Sequence, residues 1–352
     1  MNFLSVKGVV LGGALLAFTM PSHAVVLKQK WQAGQKLTYA LTLDGTASVQ
    51  LPPDAPGMAL FAGVPLDVQM RGDGKAALDT LKVDEAGTGT VAVSVPQMKM
   101  NVGVMGQKAL ITLQNGKSQL LLNNQPIDLG FLPQGDGKPK NAVRVSTSGQ
   151  FQGIEPIKDP TKPAPAPAKA DQKPVPAGQA VDQTALIMAT LIKTLPALWP
   201  QRDVKVGDTW QANVDFPALA RPAEDGAPAK PLGVYDLKLE GDEVVDGKTL
   251  QRVTIKGDID VLGKTLEAAF PAPPPAPAGN KDKARTMPRP QLEHASQSVE
   301  GTLWFDANAG QIQRANLILG GQAQGSTPRP NGQPGGKGWI DFTGTLNMNL
   351  QP

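Results

Sequence analysis

Apolar and polar residues alternate along much of the first half of this chain. Residues 90–95 read Thr-Val-Ala-Val-Ser-Val, so the three valines share one face of a strand. After Pro96 the alternation resumes one residue out of step, with Met98 and Met100 on the apolar face. Because proline cannot donate a ladder hydrogen bond, the pattern predicts one long strand with a bulge, or an edge position, at Pro96.

Other segments of the first half show the same period of two. Asp-Gly and Asn-Gly pairs, which favour tight hairpins, separate several of them and predict turns at Asp44-Gly45, Asp73-Gly74 and Asn115-Gly116. The result is an antiparallel meander. Its further predicted strands are residues 36–43, 64–70, 76–83, 108–113 and 118–122.

The second half repeats this style. An Asp-Gly pair at residues 246–247 and a glycine-ended turn at residues 306–310 predict two hairpins. The strands predicted around them are residues 234–240, 250–258, 296–305, 312–319 and 339–348.

One segment has the pattern of a helix. Residues 182–194 are apolar almost all round, Asp182 can cap the first turn, and Pro196 ends the helix. A helix without a polar face must be buried, most simply against the concave side of a curved sheet.

Proline-rich stretches divide the chain. The pattern predicts an N-terminal β-meander at 25–157, a Pro/Ala/Lys-rich loop or linker at 158–181, and a helix followed by a second β region at 182–352. A further Pro-rich insertion covers 271–290. Because strands continue on both sides of 158–181, that stretch fits a domain linker or a long loop within one architecture.

We therefore predict a mainly β fold, with one or two strongly curved antiparallel sheets shaped like a half-barrel around the 182–194 helix. A two-sheet sandwich with the helix outside is the alternative. A glycine turn and a tryptophan stand at the mouth of a strand in both residues 31–37 and residues 206–212, which suggests a pseudo-duplication.

Residues 1–24 have the pattern of a signal peptide. Lys7 precedes an apolar stretch at 9–18, and Ser22-His23-Ala24 provides the small residues that signal peptidase recognises. The apolar stretch is too short to span roughly 30 Å of hydrocarbon. We expect cleavage after Ala24 and a periplasmic or secreted protein without a transmembrane segment in its mature chain.

Composition limits the function classes. The chain has no cysteine, which excludes disulfides and a lipid anchor on cysteine, so stability must come from the apolar core. Basic and acidic residues are nearly balanced, and the net charge of +3 is too small to indicate nucleic-acid binding.

The residues that carry catalysis are sparse. After cleavage His294 is the only histidine, and no Gly-x-Ser-x-Gly, His-Glu-x-x-His or phosphate-loop motif occurs. The densest carboxylates, Asp84-Glu85, Glu240 with Asp242-Glu243, and Asp258 with Asp260, fall at predicted hairpins or on solvent faces. We expect a protein that is not an enzyme and that needs neither a metal nor a cofactor.

Methionine offers a weak ligand-binding signal. Flexible Met side chains suit varied apolar ligands, although core filling is the commoner role of methionine in a protein poor in aromatic residues. The candidate ligand-binding residues are Met98, Met100, Met188 and Leu191.

A resemblance supports this interpretation. Residues 195–200, Leu-Pro-Ala-Leu-Trp-Pro, precede Val-Lys-Val-Gly-Asp-Thr-Trp at 204–210, Ser-Thr-Ser-Gly-Gln-Phe stands at 146–151, and a Gly-x-x-x-Phe-Asp-x-x-x-Gly hairpin ends at Gly310. This series resembles exported bacterial proteins of unknown function, which are similar to the lipoprotein-carrier (LolA-like) half-barrels. The resemblance implies a curved sheet around a helix with acyl chains in the concavity, and it transfers no catalytic residues.

The sequence thus predicts a non-catalytic envelope protein that binds a lipid or another apolar or amphiphilic ligand. The alternative is a structural or interaction protein that contacts the cell wall or another envelope partner and has no small ligand.

We expect the mature chain to begin at Val25, and Ala24→Leu to leave the precursor uncleaved at the membrane. Intact-mass measurement of protein from the periplasm checks this. A mass that corresponds to all 352 residues in that fraction would contradict the prediction.

Overall fold

The computed structural model describes residues 24–51, 64–127, 138–139, 141–157, 198–214, 233–259, 291–326 and 335–352. The predicted helix at 182–194, the Pro-rich stretches at 158–181 and 271–290, and residues 1–23 of the predicted signal peptide lie outside these ranges. Nothing in the described ranges is a helix long and apolar enough to cross a membrane.

Alternating apolar residues produce fourteen strands in the described part of the chain. Several are about three times the usual length of five to six residues. The strands are β1 (Lys36–Gln50), β2 (Pro65–Val83), β3 (Gly89–Val104), β4 (Gln107–Gln114), β5 (Lys117–Leu122), β6 (Gln125–Ile127), β7 (Asn141–Val145), β8 (Phe151–Pro156), β9 (Thr209–Val214), β10 (Gly233–Val245), β11 (Lys248–Ile259), β12 (Gln291–Asp306), β13 (Gln311–Ser326) and β14 (Lys337–Leu350).

These strands form one antiparallel sheet. Its order is β6-β5-β4-β3-β2-β1-β14-β13-β12-β11-β10-β9, with β7 paired to β3 and β8 paired to β7. The first strand pairs with the last, from Tyr39 opposite Leu350 to Gln50 opposite Trp339, and this pairing joins the two β regions into one sheet. The sheet is curved and does not close into a barrel, which confirms the predicted half-barrel class.

Two predicted turns are absent. Asp44-Gly45 and Asp73-Gly74 lie inside β1 and β2, which pair continuously past them. Gly45 stands opposite Gly344 of β14, and Gly74 stands opposite Met98 of β3. The Asp-Gly prediction was wrong here because these glycines serve the close approach of neighbouring strands rather than a chain reversal.

Several glycines on adjacent strands lie where a Cβ would meet the backbone of the neighbouring strand. A Cβ on Gly45 would lie 2.8 Å from the carbonyl oxygen of Thr343, and one on Gly74 would lie 2.9 Å from that of Gln97. A second set of glycines, on β10, β11 and β12, is displaced by two residues from one strand to the next, as along a diagonal crease. Glycine kinks of this kind let a sheet coil. The two sets are Gly74, Gly45 and Gly344, and Gly233, Gly257 and Gly301.

Pro96 is the point at which the sheet branches. The register between β2 and β3 shifts by one residue between Lys75 and Ala77, opposite the segment that contains Pro96. Before the bulge β3 pairs with β7, and after it β3 pairs with β4. The predicted bulge is confirmed, and the carbonyl of Pro96 accepts the N–H of Asn115 at 2.9 Å.

The turn before β1 is built on Gly34. Its φ of 79° is a left-handed conformation that glycine adopts without cost, and the N–H of Gln35 closes the turn on the carbonyl of Gln32. The N–H of Gly34 donates to the carbonyl of Thr80, and the N–H of Thr80 donates to the carbonyl of Gln35. The turn is thereby fixed to β2.

The turn before β9 repeats this arrangement. Gly207 has a φ of 90°, and the N–H of Asp208 closes the turn on the carbonyl of Lys205. Gly207 and Asp208 exchange the same pair of hydrogen bonds with Leu239 of β10. The Val-Gly-Asp-x-Trp motif is therefore a turn that fixes the chain to the next strand, and the identical bonding supports the suggested pseudo-duplication.

Three short segments lie over one end of the sheet and close its core. Val25 and Val204 exchange two backbone hydrogen bonds, and the N–H of Trp199 donates to the carbonyl of Ser148 at 3.1 Å. Leu27, Leu198 and Trp199 are buried among the strands of the second β region. The segments are residues 25–31, 146–148 and 198–204, which we call the packed segments.

The glycine creases predict a sharp difference between two substitutions. We expect Gly45→Val to lower the free energy of unfolding by about 1–3 kcal/mol, because its Cβ meets backbone that cannot move without breaking the β1–β14 pairing. Gly103→Val is the control, because a Cβ there meets only the side chain of Gln69, at 3.9 Å. Urea denaturation of both variants checks the difference, and equal losses would show that the crease does not depend on glycine.

Candidate ligand-binding face

The core side of the sheet, which we call the inner face, carries continuous rows of apolar residues. Because opposite residues in an antiparallel sheet point to the same side, the strand register shows which side chains line up. One such row crosses twelve strands. It consists of Ile127, Leu120, Ile111, Met100, Gly72, Leu43, Leu346, Leu317, Gly301, Ile255, Leu237 and Trp210.

Burial along this row is unequal. Leu317, Ile255 and Leu237, on the second β region, are 1%, 2% and 1% exposed. Leu43 and Met100, on the first, are half-buried. The same inner face thus forms a closed core in the second β region. In the first β region the described residues leave it partly uncovered.

The uncovered part is the candidate ligand-binding site, and we call it the open face. Its members all point to the inner side of β1–β5 and the neighbouring end of β14, and all are half-buried. They are Leu41, Leu43, Ala47, Val49, Leu66, Val68, Met70, Met98, Met100, Val102, Val104, Ala109, Ile111, Leu120, Leu122, Ile340 and Phe342.

The open face is long enough for an acyl chain and wide enough for more than one. From Leu43 to Val49 along β1 it runs roughly 20 Å, at about 3.3 Å per residue. Across β1–β5 it spans about 19 Å, at about 4.8 Å per strand spacing. One leaflet of a bilayer holds its acyl chains within about 15 Å.

Two of the four predicted ligand residues lie on this face. Met98 and Met100 are two residues apart on β3, and Met70 is close by on β2, opposite Val102. Their flexible thioether side chains give this part of the face an adaptable surface. Met188 and Leu191 lie outside the described residues.

Buried aromatic residues fill the inner face beside the open face. The hydroxyl of Tyr39 donates to the carbonyl of Ile312 at 3.1 Å, while the hydroxyl of Tyr235 has no acceptor within the described residues. Burial raises the pKa of both tyrosines, so both stay neutral. Trp199 packs against Phe305 with ring centroids 4.3 Å apart. Polar groups here serve the core and do not form a charged site.

Trp210, the tryptophan of the Val-Gly-Asp-x-Trp motif, anchors the packed segment at residues 198–204 to the sheet. Trp210 is half-buried against the core, and its Nε1–H donates to the carbonyl of Leu198 at 2.7 Å. The carboxylate of Asp208 accepts the N–H of Lys205 and the guanidinium of Arg202, both at 3.1 Å. These hydrogen bonds lower the pKa of Asp208, the Lys205 N–H most.

Two of the carboxylates noted in the sequence, Asp84 and Glu240, stabilise a turn and a bulge. Asp84 accepts the N–H of Thr88 at 2.8 Å and the guanidinium of Arg144 at 3.0 Å, and these bonds lower its pKa, the Thr88 N–H most. Glu240 accepts from Lys238 at 3.0 Å and from Thr254 at 3.2 Å, and the Lys238 hydrogen bond is the main cause of its lowered pKa. A lowered pKa keeps each group ionised, which suits a structural anion.

The one histidine among the described residues lies at an exposed strand position. His294 lies exposed on β12, opposite Gln324 of β13. Among the residues that the structure describes, no three His, Asp or Glu side chains are grouped as metal ligands.

Sequence reasoning found two methionines of the open face and missed its extent. Ala47 and Val49 follow the period of two, but the predicted strand ended at Leu43 because of the predicted turn at Asp44-Gly45. Unbroken alternation from Leu37 to Val49 was the signal that could have placed them.

The comparisons give this architecture no family. No protein-family model matches the chain, and no curated protein matches it. A solved structure of lipovitellin, described for lipid–protein interactions, is similar at 10% identity and a TM-score of 0.39, over 92% of this chain and 26% of that one. This chain thus spans about a quarter of the lipovitellin chain.

Two bacterial structures are also similar. The outer membrane protein OprG from Pseudomonas aeruginosa has 8% identity and a TM-score of 0.16, over 92% of this chain and 97% of that one. A DUF1329 family protein from Desulfovibrio piger has 10% identity and a TM-score of 0.13, over 86% and 83%. Likeness this distant carries no functional argument.

The turn at Asp84 predicts a pH-dependent loss of stability. We expect Asp84→Ala to lower the thermal midpoint at neutral pH, because Thr88 and Arg144 lose their acceptor. The folded-state pKa is lowered, so the contribution is present above the unfolded value and is lost as the pH falls through the folded value. The gap from wild type should therefore close in acid.

Thermal unfolding from neutral to acidic pH measures this gap. Glu85→Ala removes the neighbouring exposed carboxylate and serves as the control. A gap for Asp84→Ala that stayed constant down to strongly acidic pH would contradict the prediction.

Proposed function

We propose that this protein binds an apolar or amphiphilic ligand, such as a lipid acyl chain, on the open face. The observation that supports the proposal is the contrast within one row, where Leu237 and Ile255 are fully buried but Leu43 and Met100 are not. Burial of apolar surface stabilises by about 25 cal/mol per Å². A ligand that covers the open face would gain this free energy.

The half-barrel resemblance points the same way. The lipoprotein-carrier (LolA-like) proteins, which the sequence resembles, hold acyl chains in the concavity of a curved sheet. The expected signal peptide would deliver this chain to the periplasm or the exterior, where amphiphiles must be shielded from water. We propose export to the envelope as part of the same function.

We further propose that the protein is not an enzyme and uses neither a metal nor a cofactor. The carboxylates with lowered pKa values are engaged in turns, and His294 lies on an exposed strand. Binding alone needs only shape and apolar surface. The alternative remains a structural or interaction protein of the envelope with no small ligand.

A charge on the open face tests the binding proposal. We expect Met100→Glu to weaken uptake of the fluorescent probe N-phenylnaphthylamine by at least about tenfold, because an ionised carboxylate on the apolar face must be desolvated by the probe. Fluorescence titration of the full mature chain measures the affinity. The fold should survive, because Met100 is only half-buried.

Asn101→Glu is the matched control. Asn101 is the next residue of β3 and is exposed on the opposite side of the sheet, so the same charge there should leave probe binding unchanged. Wild-type protein that takes up no probe at micromolar concentration would overturn the binding proposal and favour the interaction protein.

A further inference from the structure

One row of residues on the outer, convex side of the sheet is basic. The register places nine residues of nine successive strands side by side. Each is next in its strand to a residue of the inner face, so its side chain points to the outer side. In sheet order they are Arg252, Trp304, Arg314, Asn349, Ala40, Lys75, Gln97, Gln114 and Lys117, which we call the outer basic row.

Every charged residue in this row is basic. Its nine positions hold four cations and no carboxylate, although the whole chain has almost equal numbers of acidic and basic residues. Arg252, Arg314, Lys75 and Lys117 are all exposed. Arg252 also forms a loose ion pair with Glu243 of β10, at 3.6 Å. The remaining polar members are the amides of one asparagine and two glutamines, which can donate and accept hydrogen bonds.

An aromatic residue holds one of the two arginines in place. Trp304 lies between Arg252 and Arg314, and the guanidinium carbon of Arg314 is 5.3 Å from the centroid of the indole ring. A guanidinium stacked on an aromatic ring keeps its N–H groups free in the plane for an anion. The guanidinium of Arg314 is therefore held ready for carboxylate or sulfate groups before any partner arrives.

The direction of the row selects the partner. The row runs across the strands for roughly 38 Å, eight spacings of about 4.8 Å, which is the direction in which the sheet curves. A flat bilayer touches a convex surface over only part of such a length, whereas a flexible linear polyanion can follow it. Amides between the charges suit hydroxyl groups.

From this charge complementarity we infer that the outer basic row binds an extended acidic polysaccharide. The carboxylates or sulfates contact the arginines and lysines, and sugar hydroxyls contact the amides. This surface lies on the side of the sheet opposite the open face, so the inference does not depend on the proposed ligand.

Binding to polygalacturonate at low ionic strength tests the inference, with neutral dextran as the uncharged polymer. We expect the full mature chain to bind polygalacturonate and not dextran, with an affinity that falls as salt is added. Arg252→Gln with Arg314→Gln should lower the affinity by at least about tenfold, since charge-assisted hydrogen bonds are lost.

Two further variants keep the test decisive. Lys75→Gln with Lys117→Gln removes exposed charges far from Trp304, so it should weaken binding several-fold without touching the Arg–Trp packing. Lys108→Gln with Lys256→Gln removes two exposed cations of the same side outside the row, and binding should be kept.

Three results would overturn the inference. One is no binding to polygalacturonate, and another is equal loss in the Lys108/Lys256 control. The third is binding to phosphatidylglycerol vesicles, but not to the polysaccharide, that the row variants abolish, which would assign the row to a membrane.

Discussion

Hydrogen bonding between the first strand and the last is the interaction on which the rest of this structure depends. β1 and β14 pair in unbroken register from Tyr39 and Leu350 to Gln50 and Trp339. Each β region alone is a meander with one edge exposed at this seam. The pairing merges them into one sheet, so that Leu43 of the first region continues through Leu346 and Leu317 into the core of the second. The inner face is a single surface only because of this seam.

The seam also sets the shape. Gly45 and Gly344 face each other across it, and the absence of Cβ atoms lets the strands bend toward the inner side. In the second region the packed segments complete the core, with Trp199 against Phe305. On the first region the branch at Pro96 sends β4–β6 and β7–β8 in separate directions, and a broad apolar surface stays half-buried. The contrast between a finished core and an open face thus follows from where the packed segments lie, since both regions carry the same alternating pattern.

The two sides of the sheet suit two different kinds of contact. Apolar side chains on the inner side offer area and flexibility without charge, as a ligand made of hydrocarbon requires. Exposed cations on the outer side are spaced by the strands and aimed away from the core, as a polyanion requires. Because the sheet separates them, the proposed apolar ligand and the proposed polyanion would occupy opposite sides of the sheet and would not compete.

By itself, the sequence determined the local events. Alternation placed most strands, and Asn115-Gly116 and Asp246-Gly247 are turns because their left-handed backbone is a property of those residues. Pro96 marked the bulge because proline has no N–H to donate to a neighbouring strand, whichever strand that is. Asp44-Gly45 and Asp73-Gly74 look the same locally, yet they continue strands. Only the tertiary structure decided that these two pairs continue a strand. A glycine is needed there because a neighbouring strand approaches closely, and the local sequence does not specify that neighbour. For the same reason, the open face and the outer basic row cannot be predicted from the sequence alone. Their members are distant in sequence and come together only through the strand register.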